Sequence, residues 1–230
     1  MPNSALLFAR LMVVSGASVA MAALAMWSCD SPPTFLSCLA LAVLGSTFKV
    51  VLPGVTGAIS PNAMPIVFAI GKLSWQEGII IAALAGVTQC VWRPKRSTTL
   101  LQVLFNGANL AVSAGIAQAV AHSLTQPSSV PTFFVAAIVY QLVNTVSVAT
   151  ILSLLESVPT RALWRNIHLW SFPYTLASAG FACVWATANV PSGVSTMVFC
   201  AIVLYLMSVV CGEIVTRTAP LGASLASVKT

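Results

Sequence analysis

Acidic residues are nearly absent from this 230-residue chain: Asp30, Glu77, Glu156 and Glu213 are its only four, and charged residues of both signs make up 6% of it. A soluble domain carries roughly a quarter charged residues, because its surface must be wetted. A water-soluble globule is therefore excluded. Acid–base chemistry finds little material either, since His122 and His168 stand at no helical spacing from a carboxylate, a cysteine or each other. The chain also lacks G-x-S-x-G, H-E-x-x-H and a phosphate loop. These absences lead to an expectation of no enzyme, no cofactor and no metal. The six cysteines, Cys29, Cys38, Cys90, Cys183, Cys200 and Cys211, form no C-x-x-C pair and read as small apolar residues.

What the chain has instead is apolar length, with 58% of its residues hydrophobic. Apolar stretches run from Ala5 to Trp27, Thr34 to Val51, Val55 to Leu73, Gly78 to Trp92, Thr98 to Leu124, Pro131 to Leu155, Trp170 to Val190 and Ser192 to Ile214. Each break between them holds a turn former or a charge, as in C-D-S-P-P, L-P-G and W-R-P-K-R. A bilayer crossing takes about 20 apolar helical residues, so the expected fold is all-α: one polytopic membrane bundle over residues 1–230 with about eight transmembrane helices. The first stretch also resembles a signal peptide, with Arg10 ahead of an apolar run, but Met26 and Trp27 follow in place of a small-x-small cleavage site. It is read as a membrane anchor.

The net charge of +6 has a topological explanation. With the N-terminus inside and eight crossings, Arg10, Lys49, Arg93, Lys95, Arg96, Arg161, Arg165, Arg217 and Lys229 fall on the cytoplasmic side and only Lys72 outside. That one-sidedness predicts both termini in the cytoplasm and a place in the inner membrane. The basic residues are scattered or form one short cluster, with no stripe for nucleic acid. Trp27, Trp75, Trp92, Trp164 and Trp170 fall near proposed helix ends, where indole can keep its N–H wet. The four acidic residues also fall at or near ends, where a carboxylate is solvated.

The third and fourth stretches are irregular. Pro53 and Gly54 end the second stretch, and Gly57, Pro61 and Pro65 then interrupt the chain from Val55 to Pro65, leaving two short apolar pieces. These form either two crossings or one re-entrant hairpin, with six crossings in all. Non-helical backbone at membrane depth needs protein or a water-filled cavity to satisfy its polar groups.

The fifth stretch carries two patterns. Gly107, Ala111, Gly115 and Ala119 recur every four residues, a smooth face suited to a helix contact, a partner protein or a second copy of the chain. Asn106, Asn109 and Ser113 share another face, and the sixth stretch repeats the theme with Tyr140, Asn144 and Ser147 beside Gln141. Two readings stand side by side. The amides bond one another across the bundle, or Ser60, Asn62, Gln89, Asn106, Asn109, Tyr140, Gln141 and Asn144 line a pocket for a small, mostly apolar ligand.

F-K-V-V-L-P-G-V-T-G-A-I-S-P from Phe48, Q-C-V-W-R from Gln89 and L-F-N-G-A-N-L-A-V-S-A-G from Leu104 carry a resemblance over roughly the first half of the chain. This region resembles the N-terminal membrane region that precedes HD-GYP phosphodiesterase or GGDEF cyclase domains in bacterial signalling proteins. The resemblance implies a sensor-like module with a cytoplasmic C-terminus. More weakly, the layout is similar to the S components of energy-coupling-factor vitamin transporters, whose A-x-x-x-A contact motif has its nearest counterpart in Ser18-x-x-x-Ala22. A structural subunit of a larger membrane assembly is the third reading.

Overall fold

The structure, a computed structural model, describes residues 2–29, 31–51, 58–59, 61–92 and 98–187, with 202 and 209. Seven helices follow one another through these residues: α1 (Asn3–Ala25), α2 (Pro32–Thr47), α3 (Ala63–Lys72), α4 (Trp75–Val91), α5 (Leu100–Leu124), α6 (Val130–Glu156) and α7 (Thr160–Thr187). Between α2 and α3, β1 (Val50–Val51) pairs antiparallel with β2 (Ala58–Ile59), Val50 opposite Ile59. Three helices, α1, α5 and α6, are long and apolar enough to cross a membrane, while α2, α3 and α4 are shorter and apolar. The eighth apolar stretch of the sequence, Ser192 to Ile214, lies outside the described residues apart from 202 and 209.

Side-chain size is distributed as a lipid solvent requires. The buried residues of α1 are Ala5, Ala9, Gly16 and Ala23, whereas Leu7, Leu11, Val14, Met21 and Leu24 are each more than half exposed. In water that arrangement would leave a large apolar surface uncovered. In a bilayer the large side chains meet acyl chains and the small ones let helices approach closely. Gly16 does so most tightly: a Cβ there would overlap the Cα and Cβ of Ala108 on α5.

The turn residues set the boundaries. Pro32 and Pro33 open α2, where a missing N–H has no intrahelical partner to lose. Ser74 and Glu77 form a capping box at the start of α4, and Thr99 and Gln102 form one at the start of α5. Ser157 ends α6 in the left-handed region at φ 57°, and Pro159 follows. Three boundaries differ from the sequence reading. α2 ends at Thr47, and Val50 and Val51, read as the end of the second apolar stretch of an all-α chain, form β1 instead. Pro65 lies within the first turn of α3 rather than in an irregular loop, because the first helical turn tolerates proline. The seventh helix starts at Thr160, ten residues ahead of Trp170, and takes in Arg161 and Arg165. Long basic side chains reach solvent from a helix end while their stems cover apolar surface, so these arginines mark the helix's first turns and not a loop.

Helices consecutive in the chain run antiparallel, which sorts the described residues into two ends. At one, Lys49 Nζ donates to the Trp92 carbonyl, Phe8 of α1 meets Phe105 of α5, and Ile151 of α6 packs in the same cluster. At the other, Gln76 Nε2 donates to the Met26 carbonyl at 2.9 Å, and Ser128 N donates to the Gly71 carbonyl at 3.1 Å. The α3–α4 tip therefore lies level with the C-terminal ends of α1 and α5, not half-way along them. Chain connectivity then carries Arg10, Lys49, Arg161 and Arg165 to the first end and Lys72 to the second.

The core centres on α3. Nine of its ten residues, Ala63 to Gly71, are buried. It packs against α2, α4, α5, α6 and α7, with Phe68 stacked on Trp185 at 4.0 Å and Phe133 filling the space beside Gly71. A helix of ten residues spans about 15 Å, about half the thickness of a bilayer's hydrocarbon core.

Candidate functional site

The amides singled out in the sequence separate into four hydrogen-bonded groups. Asn62, at the start of α3, donates from Nδ2 to Ser46 Oγ at 3.0 Å and towards Gln89 Oε1 at 3.4 Å, tying α3 to α2 and α4. Asn106 donates to the Gly86 carbonyl at 2.7 Å across the α4–α5 contact. Asn109, fully buried, donates to Asn144 Oδ1 at 2.6 Å and so joins α5 to α6. Gln141 donates to Ser171 Oγ and joins α6 to α7. Tyr140 lies in the main core cluster, and Ser60 lies outside the described residues.

These side chains thus join helix to helix. They do not converge on one pocket, because each amide faces a different neighbour along the bundle. Of the two readings open to the sequence, cross-bundle bonding describes Asn109 and Asn144. Asn109 Oδ1 remains buried with no hydrogen-bond partner.

The small-residue stripe is also spent inside the chain. Gly107 lies against Val87 and Ala83 of α4, Ala111 is buried with Ala23 and Ile79, and Gly115 faces Ile79 and Val19. Its last member, Ala119, is exposed.

A cleft of about 430 Å³ opens beside that residue, at the end of the bundle that holds the α3–α4 tip. Leu73, Ser74 and Trp75 from the tip form one wall, and Gly115, Gln118, Ala119 and His122 of α5 form the other. Gly115, Gln118 and His122 stand at i, i+3 and i+7 and so share one helix face. That spacing is legible in the sequence, but reading the stripe as plain packing passes over Gln118.

Gln118 is 5% exposed. Its Nε2 donates to the Leu73 carbonyl at 3.1 Å, while its Oε1 has no partner and lies against the bare Cα of Gly78. His122 Nε2 is 3.0 Å from the Ile70 carbonyl. A carbonyl only accepts, so Nε2 carries the proton and Nδ1 of the neutral ring is an acceptor.

Glu77 adjoins this end and departs from the expected solvated charge: it is 2% exposed. Ser74 donates to its Oε2 from both N and Oγ, at 3.0 and 2.8 Å, and Cys29 Sγ donates to Oε1 at 3.1 Å. The carboxylate is occupied in holding the α4 N-terminus, where negative charge is favoured. Among the described residues no group of three His, Cys, Asp or Glu side chains could hold a metal ion.

α7 adds a polar face that the sequence reading did not single out. Ser171, Thr175 and Ser178 are buried at i, i+4 and i+7, each hydroxyl donating to the carbonyl four residues back. Such back-bonding satisfies a hydroxyl without a partner helix, so the face is suited to close packing, not to ligand chemistry. Comparison with protein-family models, with curated proteins and with solved structures finds no match for this chain.

Proposed function

We propose that the chain is a non-enzymatic, sensor-like module of the cytoplasmic membrane that binds a small, mostly apolar molecule and passes its occupancy along α3. The observation that carries this reading is the position of α3, a short helix buried on nearly every side. It runs from a turn beside an open cleft to Asn62, whose amide holds α2 and α4 at the other end. A displacement at the tip is felt at Asn62 because close-packed interiors shift as units rather than deform continuously. Both termini lie in the cytoplasm in this reading, with about eight crossings.

Its test is thermal. Protein stripped of native lipid is placed in nanodiscs of defined synthetic lipid and melted with and without an organic extract of its source membranes. A ligand that binds only the folded state raises stability by about 2.7 kcal/mol at a hundredfold excess over its Kd, so the extract raises the melting temperature. If the extract adds nothing beyond the synthetic lipid, the ligand-binding reading fails.

A second reading, a structural subunit of a larger membrane complex, draws on a different observation: the amides of α3, α5 and α6 are engaged with neighbouring helices. A substrate-binding subunit of a vitamin or small-molecule transporter shares the ligand but requires an ATPase-bearing partner. Co-purification with such a partner separates it from the sensor.

A further inference from the structure

We propose that the cleft between the α3–α4 tip and α5 is the ligand site, and that its ligand is a neutral amphipathic molecule with a hydroxyl donor on an apolar body. The proposal rests on the ligand-binding reading above and gives it a site and a chemistry. The walls supply the apolar part: Leu73, Trp75, Gly115 and Ala119 offer aliphatic and aromatic surface and no charge. The volume, about 430 Å³, falls in the range of small-molecule sites, roughly 300–1,000 Å³.

The polar part pairs the Trp75 indole N–H with two acceptors. His122 has its N–H engaged with the Ile70 carbonyl, which leaves Nδ1 as an acceptor. Gln118 has its N–H engaged with the Leu73 carbonyl, and its buried Oε1 has no partner. Both residues present acceptors, which a ligand with a hydroxyl donor satisfies and a ligand with acceptors alone leaves unmet. A cation finds no carboxylate here, because Glu77 already accepts from Ser74 and Cys29. A neutral O–H satisfies His122 Nδ1 directly. Gln118 Oε1, buried against Gly78 a helical turn away, is a second unmet acceptor at this site, a deficit that is costly where water is excluded.

Ligand contact with Leu73 and Trp75 bears on the turn that ends α3. Occupancy of the cleft is in this way coupled to the helix proposed to transmit it.

The test uses a diazirine-bearing long-chain alcohol and its methyl ether on the full chain in nanodiscs, with labelled residues mapped by mass spectrometry. The expected result is alcohol labelling concentrated on residues 73–75 and 115–122, about tenfold above the ether, as one hydrogen bond allows. Gln118→Leu should lose that preference. Because this change also removes the bond to Leu73, Ala119→Phe serves as the second variant: it fills the cleft from an exposed position and should abolish cleft labelling with the melting temperature unchanged. Equal labelling by alcohol and ether, or labelling spread evenly over the lipid-facing side of α1, overturns the proposal. If the cleft is unlabelled while the membrane extract still stabilises the protein, the site assignment fails and the ligand-binding reading stands. If neither effect is seen, both fail.

Discussion

Replacing Gly86 by alanine should loosen the contact between α4 and α5, whereas the same change at Gly115 should not. A Cβ on Gly86 would stand 2.7 Å from the Asn106 carbonyl oxygen and 3.0 Å from both the Asn106 carbonyl carbon and the Gly107 Cα. All three are backbone atoms, so no side chain can swing aside and the helices themselves must move apart. Overpacking of this kind costs about 1–3 kcal/mol. The wider gap also stretches the 2.7 Å bond from Asn106 to the Gly86 carbonyl, worth about 0.6 kcal/mol for an average interhelical bond in a membrane. Against this, alanine's helix propensity returns about 1 kcal/mol, leaving a net loss of about 0.6–2.6 kcal/mol. At Gly115 the nearest atoms to an added Cβ are Ile79 Cδ1 and Val19 Cγ1, both at 3.7 Å. Only the propensity gain remains there, up to about 1 kcal/mol of stabilisation. Equilibrium unfolding in mixed micelles of increasing SDS content, followed by far-ultraviolet circular dichroism, measures both. A Gly86→Ala protein as stable as wild type, beside a destabilised Gly115→Ala, would refute the reasoning.

Three further outcomes follow from the same geometry. In a double-mutant cycle, Asn109→Leu and Asn144→Leu should couple by about 0.6–1.7 kcal/mol, the span for interhelical membrane hydrogen bonds; additive effects would mean that the pair is not bonded. Ser74→Ala should lower stability by about 0.5–2 kcal/mol through loss of the helix cap, and an unchanged unfolding curve would show that Glu77 is held without it. Cysteines introduced at Lys72 and at Thr98, both exposed, should react with a membrane-impermeant maleimide from opposite faces of sealed vesicles; labelling from the same face would overturn the antiparallel sorting of the two ends.

Much of the fold was legible because helix breaks in this chain are written in proline and charge. The run from Cys29 to Pro33 lies between α1 and α2 and opens α2, and the run from Thr125 to Pro131 separates α5 from α6. The start of α7 was hidden because Arg161 and Arg165 look like loop residues, although a helix end can carry them. Glu77 was misread for a related reason. The pattern Ser74-x-x-Glu77 is a capping box on the page, yet a carboxylate near a membrane surface reads first as solvated, and only the fold reveals that Ser74 and Cys29 surround it. The candidate site was less legible. Spacing puts Asn106 and Asn109 on one face of α5, but it does not say that one meets Gly86 and the other Asn144. Those partners depend on which helices flank α5, a long-range property that no local pattern encodes. Gln118 is the converse: its spacing from Gly115 and His122 was visible, while its unpartnered oxygen exists only in three dimensions.

The central claim, that this membrane bundle holds a small ligand at the α3–α4 tip, is tested most directly by native mass spectrometry of the full chain released from its own membranes. The account predicts a population heavier than the apoprotein by one small-molecule mass, which persists at collision energies that strip bulk lipid and is lost in Ala119→Phe. A protein that flies at its bare mass, or an adduct retained equally by the filled-cleft variant, would contradict it.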